Sequence, residues 1–346
     1  MNSLTRFPTV YKIVIILTAL AALLCGAVIL PSANKTANAA SSASAEVAME
    51  LSTGRVLHAS NADEKLPMAS TTKIMTAIIV IEDCDLDEVI TVPDAAVGVE
   101  GSSVYLKKDE KIDIRDLVYG LMLRSGNDCA ATLAIHHSGS IEKFAEVMNE
   151  RAKNIGAENT NFKNPSGLPD AEHYTTASDL CKIACYAMKN DLFKQVVSTL
   201  NYKGNFRSYA NKNKMLKLYE GANGVKTGYT VKAGRCLVSS AERNGMDVVC
   251  VVLNCPDTYG RSSEILDYCF NNFSLIKIDG NRVFISGKVL CKLKNECNIV
   301  TNKNGKIRYE VSRLSSKESK EADGAVAKLK IFSQNDLIFE GNLFTI

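Results

Sequence analysis

From Glu46 to His58, "EVAMELSTGRVLH" alternates apolar and polar residues and turns at Thr53 and Gly54, which predicts a β-hairpin. The period then changes. In "LPMASTTKIMTAIIVIE", Leu66 to Glu82, residues Ile74, Met75, Ile78, Ile79, Val80 and Ile81 occupy almost every face of a helix opening at Ser70. A helix apolar all round is buried, so the ammonium of Lys73 inside it needs a partner or a chemical task. "RDLVYGLMLRSGNDCAATLAIHH" predicts two helical segments, with Leu117 and Leu121 four apart and an interruption at Ser125, Gly126 and Asn127. More helix is expected over 140–154 and 177–188. From residue 224 the pattern is extended. "VKTGYT" precedes "CLVSSAERNGMDVVCVVLN", where Asn244 and Gly245 supply a hairpin turn between two apolar strands, and a helix over 262–273 follows. Beyond about residue 275, "NRVFI", "KVLCKL", "KIRYEV", "VAKLKIF" and "DLIFEGNLF" read as short strands, and "SSKESKEADG" as a solvated loop. The fold class expected is α+β. An antiparallel sheet with helices on its faces and an inserted helical block spans 40–275, and a small all-β domain spans 276–346.

The N-terminus departs from this pattern. Arg6 and Lys12 precede an apolar run from Ile13 to Leu30, followed by Pro31 and small residues with an A-x-A site at Ala37, Asn38 and Ala39. Residues 1–39 therefore read as a secretory signal or, if uncleaved, as an N-terminal anchor giving membrane association. Cys25 follows Leu23 and Leu24 instead of the small residues of a lipoprotein site. Loss of the segment removes Arg6, Lys12 and Lys35 and no acid, which cancels the net charge of +3. Neither nucleic acid nor an electrostatic membrane partner is indicated. Of 11 cysteines, those outside the signal form no compact disulfide framework. Cys181 and Cys185 stand four apart on a helix, but four histidines and no C-x-x-C make them core residues in preference to half of a metal site. No cofactor or metal is implied.

Ser70 lies three residues before Lys73, on the same helical face and at a helix start where backbone N–H groups point outward. A hydroxyl beside an amine is a nucleophile with a base, provided that burial near a second cation lowers the lysine toward neutrality. Taken singly, each candidate has an ordinary reading. Ser70 can be an N-cap, Lys73 can reach the surface, Ser125–Asn127 can be a turn, and Lys226 and Arg261 can be solvated. S-x-x-K also occurs at Ser32–Lys35 and Ser274–Lys277, and S-x-N at Ser32–Asn34 and Ser333–Asn335. K-T-G occurs once, at Lys226, Thr227 and Gly228. Order and placement carry the signal: a serine opening a buried helix, Ser125-Gly126-Asn127 between two helices, and K-T-G on a strand.

With these motifs, and with "EGSSVYLKKDEKIDIRDLVYGLMLRSGNDCA", "NPSGLPDAEHYTTASDL" and "GVKTGYTVKAGRCLVSSAER", the chain resembles the serine-type D-alanyl-D-alanine carboxypeptidases, the low-molecular-weight penicillin-binding proteins of peptidase family S11. The resemblance is close over 45–275 and looser beyond. It implies that Ser70 attacks the carbonyl between two D-alanines of a peptidoglycan stem peptide, with Lys73 as base. It further implies that Ser125 relays a proton to the leaving amine, Asn127 holds the substrate amide, and Lys226 and Thr227 bind the terminal carboxylate. Gly228 completes the strand motif, the N–H groups of Ser70 and Tyr229 form an oxyanion hole, and Arg261 adds a carboxylate-binding cation. β-Lactam antibiotics are the implied inhibitors, acting outside the cytoplasmic membrane. "NPSGL" and His173–Asp179 read as loop scaffolding and helix capping, and His173 as no triad base.

Rival functions are a class A β-lactamase, a penicillin-binding sensor or scaffold without turnover, and a transpeptidase or endopeptidase. The first requires a glutamate followed four residues on by asparagine; "GAENTNFKNPSGL" has Glu158 and then Phe162. The others share every residue named and are separated by measuring D-alanine release.

Overall fold

How many faces an element buries explains most of its sequence. The computed structural model describes residues 43–346. The export segment expected over 1–39 and the motif copies at Ser32–Lys35 and Ser32–Asn34 lie outside the described residues. β1 (Ala45–Glu50) and β2 (Val56–Ser60) form the predicted antiparallel hairpin. β1 is buried at every position because it is covered on both sides: Val47 and Met49 enter one core and Ala48 the other.

The chain then makes a tight 3₁₀ turn, Ala69–Thr72, continuous with α1 (Lys73–Asp83). The predicted helix start at Ser70 thus falls inside a 3₁₀ turn. Thr71 and Thr72 hydroxyls donate back to the carbonyls of Met68 and Ala69 at 2.6 and 2.9 Å, which tightens that turn. Every residue of α1 from Lys73 to Ile81 is buried. After the short pair β3 (Val89–Thr91) and β4 (Lys111–Asp113), α2 (Ile114–Tyr119) passes through a π-helical turn, Gly120–Arg124, to Ser125. Ser125 is left-handed, φ +67°, and this is the physical form of the predicted interruption. The helical block continues with α3 (Asn127–Ser138), α4 (Ile141–Ile155), α5 (Ala177–Met188) and α6 (Asp191–Ser198). Ser140 and Thr176 cap α4 and α5.

A small hairpin, β5 (Asn201–Lys203) with β6 (Ser208–Ala210), and the short α7 (Met215–Leu218) lead to β7 (Ala222–Thr230), β8 (Gly234–Arg243) and β9 (Met246–Leu253). The main sheet is antiparallel with order β2-β1-β9-β8-β7. α1 and α5 share the core on one face with Val249, Val251 and Leu253, while α8 (Thr258–Asn272) covers Val248, Cys250 and Val252 on the other. β7 is an edge strand and lies against the Ala69–Thr72 turn.

Seven antiparallel strands follow: β10 (Phe273–Ile278), β11 (Phe284–Ser286), β12 (Val289–Lys292), β13 (Cys297–Asn302), β14 (Ile307–Arg313), β15 (Ala327–Ser333) and β16 (Asp336–Thr345). They surround their own small core, including Cys291, Leu329, Ile331 and Leu343. The stretch expected as a solvated loop contains α9 (Ser316–Glu321). Ser315 and Glu318 close a capping box there, a signal written in the sequence as S-x-x-E. All ten cysteines of the described residues are free thiols, and Cys181 donates to the Val249 carbonyl at 3.6 Å inside the core.

Candidate active site

The turn and helix that open at Ala69 present Ser70 and Lys73 to one another. Lys73 Nζ lies 2.9 Å from Ser70 Oγ, 2.7 Å from Asn127 Oδ1 and 2.5 Å from the Ser166 carbonyl oxygen. A neutral amine has two N–H donors and one lone pair. The Asn127 and Ser166 oxygens can only accept, so in the neutral form the lone pair is left for the Ser70 hydroxyl. Burial is complete and holds the Lys73 pKa well below the usual lysine value, and the charge of Lys226 lowers it further. This answers the charge problem posed by an all-apolar helix.

Lys226, Thr227 and Gly228 lie on the edge strand β7. Lys226 is buried, donates to the Thr227 carbonyl at 3.0 Å, and has its pKa lowered to about 7, first by burial and then by Lys212. Gly228 explains how closely the strand approaches: a Cβ there would meet Met68 O at 3.1 Å and Ser70 N at 3.2 Å. Asn127 is spent in two directions, since its Nδ2 also donates to the Glu100 carbonyl at 2.5 Å. One N–H of that amide remains for another acceptor.

Two cavities meet at Ser70. One, of about 250 Å³, is lined by Ser70, Ser125, Thr227, Gly228 and Tyr229 together with Ser102, Lys212, Arg235, Thr258 and Tyr259. The other, of about 500 Å³, runs past Asn127 between Gly101, Leu168 and Val231. A larger cavity of about 690 Å³ between Arg55 and Phe339 touches none of these residues, so size alone is a poor guide to the chemistry. The structure therefore gathers Ser70, Lys73, Ser125, Asn127, Lys226, Thr227, Gly228 and Tyr229 into one cleft.

Arg261 is placed differently. Its guanidinium closes on Glu46 at 2.6 and 2.9 Å and on Glu264 at 2.8 Å, and it lines neither cavity at Ser70. Thr258, three residues earlier on the same helix, lines the cleft in its place. Additional cations on the cleft walls are Arg235 and Lys212 in the smaller cavity and Lys232 in the larger, none of which the sequence singled out. Arg235 follows a β-turn five residues after Thr230, a position whose exposure only the β7–β8 pairing reveals. The Ser166 carbonyl carries no residue-type signal at all.

A serine hydroxyl in contact with a buried amine, facing a lysine-bearing strand edge, defines a serine-nucleophile enzyme. The family model for D-alanyl-D-alanine carboxypeptidase, Peptidase_S11, matches residues 32–257, and the chain belongs to this family of serine hydrolases. The D-alanyl-D-alanine carboxypeptidase of Streptomyces sp. strain K15 is 38% identical over 64% of this chain and 85% of its own length. DacF of Bacillus subtilis is 32% identical over 69% of this chain, which spans only 65% of that relative. Among solved structures, penicillin binding protein 5 of Haemophilus influenzae superposes with a TM-score of 0.75 at 26% identity, covering 88% of this chain and 96% of that one. The Streptomyces K15 DD-transpeptidase gives 0.64 at 35% identity and is covered to 97% by 66% of this chain. The α+β fold with its small C-terminal all-β domain is thus that of the penicillin-binding peptidases.

Proposed function

We propose that the protein removes the terminal D-alanine from peptidoglycan stem peptides through an acyl-enzyme on Ser70, and that β-lactams acylate the same serine. The observation that carries this is the contact of Ser70 Oγ with Lys73 Nζ at 2.9 Å, both amine hydrogens being directed to acceptors elsewhere. Lys73 takes the hydroxyl proton as Oγ bonds to the carbonyl carbon. Lys226 and Thr227 hold the terminal carboxylate, with Arg235 lending a further cation at the cleft wall. The N–H groups of Ser70 and Tyr229 receive the oxyanion, Ser125 passes a proton to the departing D-alanine amine as the C–N bond breaks, and water then cleaves the ester. Asn127 orients Lys73 and offers its remaining N–H to the substrate amide.

A deacylating pair of the class A β-lactamase kind is not supported, because Glu158 is exposed and Phe162 is buried in the core. Residues 40–275 carry the chemistry, 276–346 stand outside it, and 1–39 direct export to the outer side of the cytoplasmic membrane. Among the described residues no helix is long and apolar enough to cross a membrane. The test is D-alanine release from a pentapeptide with and without penicillin. Penicillin-sensitive release supports hydrolysis. Stoichiometric labelling without release favours a sensor, and transfer to an added amine in place of hydrolysis favours a transpeptidase.

A further inference from the structure

The buried histidine of the loop facing the catalytic turn has no part in the chemistry described so far, yet it ends a directed chain of hydrogen bonds. His173 is 3% exposed. Its Nδ1 accepts from the Lys163 backbone N–H at 3.0 Å, so the ring proton resides on Nε2. Nε2 lies 2.8 Å from Thr72 Oγ1. Thr72 has a single hydroxyl hydrogen, and it is given to the Ala69 carbonyl at 2.9 Å. The Thr72 oxygen therefore accepts from His173, and the chain runs one way, from His173 through Thr72 to Ala69.

The far end matters because Ala69 immediately precedes Ser70 and is held at φ +48°, a left-handed conformation strained for a residue with a Cβ. The same loop presses on the same carbonyl: a Cβ at Gly167 would sit 1.9 Å from Ala69 O. One residue earlier, Ser166 supplies an acceptor for Lys73. The loop thus fixes nucleophile and base together, and His173 is one of its anchors.

We propose that His173 is a positioning residue for acyl transfer, holding the strained Ala69–Ser70 turn through Thr72; this deepens the reading of Ser70 as nucleophile and rests on it. Protonation would put a second donor on Nδ1 against the Lys163 N–H and cost the ring that anchor, while Nε2–H still faces Thr72. Burial, with a smaller contribution from Lys73 and against the opposing charge of Asp170, lowers the His173 pKa to about 4, so the chain is intact at neutral pH. Phe162, edge-on at 5.8 Å, is the remaining ring contact.

The experiment measures acylation by a fluorescent penicillin at neutral pH in the full chain and in H173F, H173Q, T72V and the H173F/T72V pair. H173F keeps the ring packing and removes both hydrogen bonds. The expected result is acylation slowed by about 10²-fold with little change in penicillin affinity, the scale of a misplaced reacting group. H173Q restores a donor toward Thr72, so it recovers most of the rate. T72V reproduces the H173F loss, and the double variant adds nothing to it. Wild-type rates in H173F, or fully additive losses in the double variant, overturn the proposal. Should H173F fail to fold, T72V at the wild-type rate overturns it equally. Labelling that survives Ser70→Ala overturns the underlying reading instead, which keeps the two failures distinct.

Discussion

Two of the S-x-x-K copies within the described residues, Ser70–Lys73 and Ser274–Lys277, have nothing else in common. Ser70 and Lys73 straddle a 3₁₀ turn and the start of a helix, where residues three apart share a face, and their side chains meet at 2.9 Å. Ser274 and Lys277 lie on β10, where an odd separation sends side chains to opposite faces, and Lys277 is exposed. The same letters make a nucleophile with its base in one region and a solvated strand in the other. Backbone period and burial, not the motif, create the chemistry.

The widest separation expected between the two regions is in acylation. Ser70→Ala should abolish penicillin labelling and D-alanine release, and Lys73→Ala should slow acylation by about 10²–10⁴-fold, as for loss of a general base. Ser274→Ala and Lys277→Ala should leave both assays unchanged. Labelling rates measured side by side decide this, and normal acylation by Lys73→Ala at neutral pH would remove the lysine from its role. Next in size is Gly228→Ala. Its Cβ would press on Met68 O and Ser70 N, and pushing the strand, with Lys226 and Thr227 on it, from the nucleophile should cost about 10²-fold in kcat.

How much of this was legible follows the same division. Residue types announce themselves where burial conflicts with charge, and Lys73 in an all-apolar helix is such a conflict. Alternation and turn chemistry gave the β1–β2 and β8–β9 hairpins, and caps at Ser140 and Thr176 set the starts of two helices close to the predicted residues. Contacts made by backbone atoms left no trace in the sequence pattern: the Ser166 carbonyl on Lys73 and the Glu100 carbonyl on Asn127 could be supplied by any residue. The hairpin of β5 and β6 was missed because its three-residue strands are too short for a period to register.

A smaller effect separates the two buried lysines of the cleft. Lys226 must be charged to hold a carboxylate, yet burial lowers its pKa to about 7. In the free enzyme the protonated form is lost as pH rises through that value, so kcat/KM should fall about tenfold per unit above it. A bound carboxylate favours the ammonium, which moves the same limb of kcat to higher pH. Pentapeptide kinetics across pH 6–9 test this, with Lys226→Met expected to raise KM and to lack the alkaline limb of kcat/KM. Coincident limbs for kcat and kcat/KM would place the carboxylate elsewhere.

The smallest expected change in catalysis comes from two arginines that motif position and burial rank in opposite order. Arg261 matches the family pattern in sequence, but its fork is closed on Glu46, which is 1% exposed, and on Glu264. Removing it takes a cation from a buried carboxylate that also pairs with His58 at 2.9 Å. Arg261→Ala should therefore destabilise the fold by about 3 kcal/mol, the lower end for breaking a buried pair, with kcat of the folded fraction little changed. Arg235 is exposed on the cleft wall beside the K-T-G strand, and Arg235→Ala should raise KM severalfold without a change in thermal stability. Thermal melts paired with steady-state kinetics on both variants separate a structural cation from a binding one. A KM effect confined to Arg261→Ala would show that its fork opens toward the substrate after all, and would return to sequence position the meaning that burial has here taken from it.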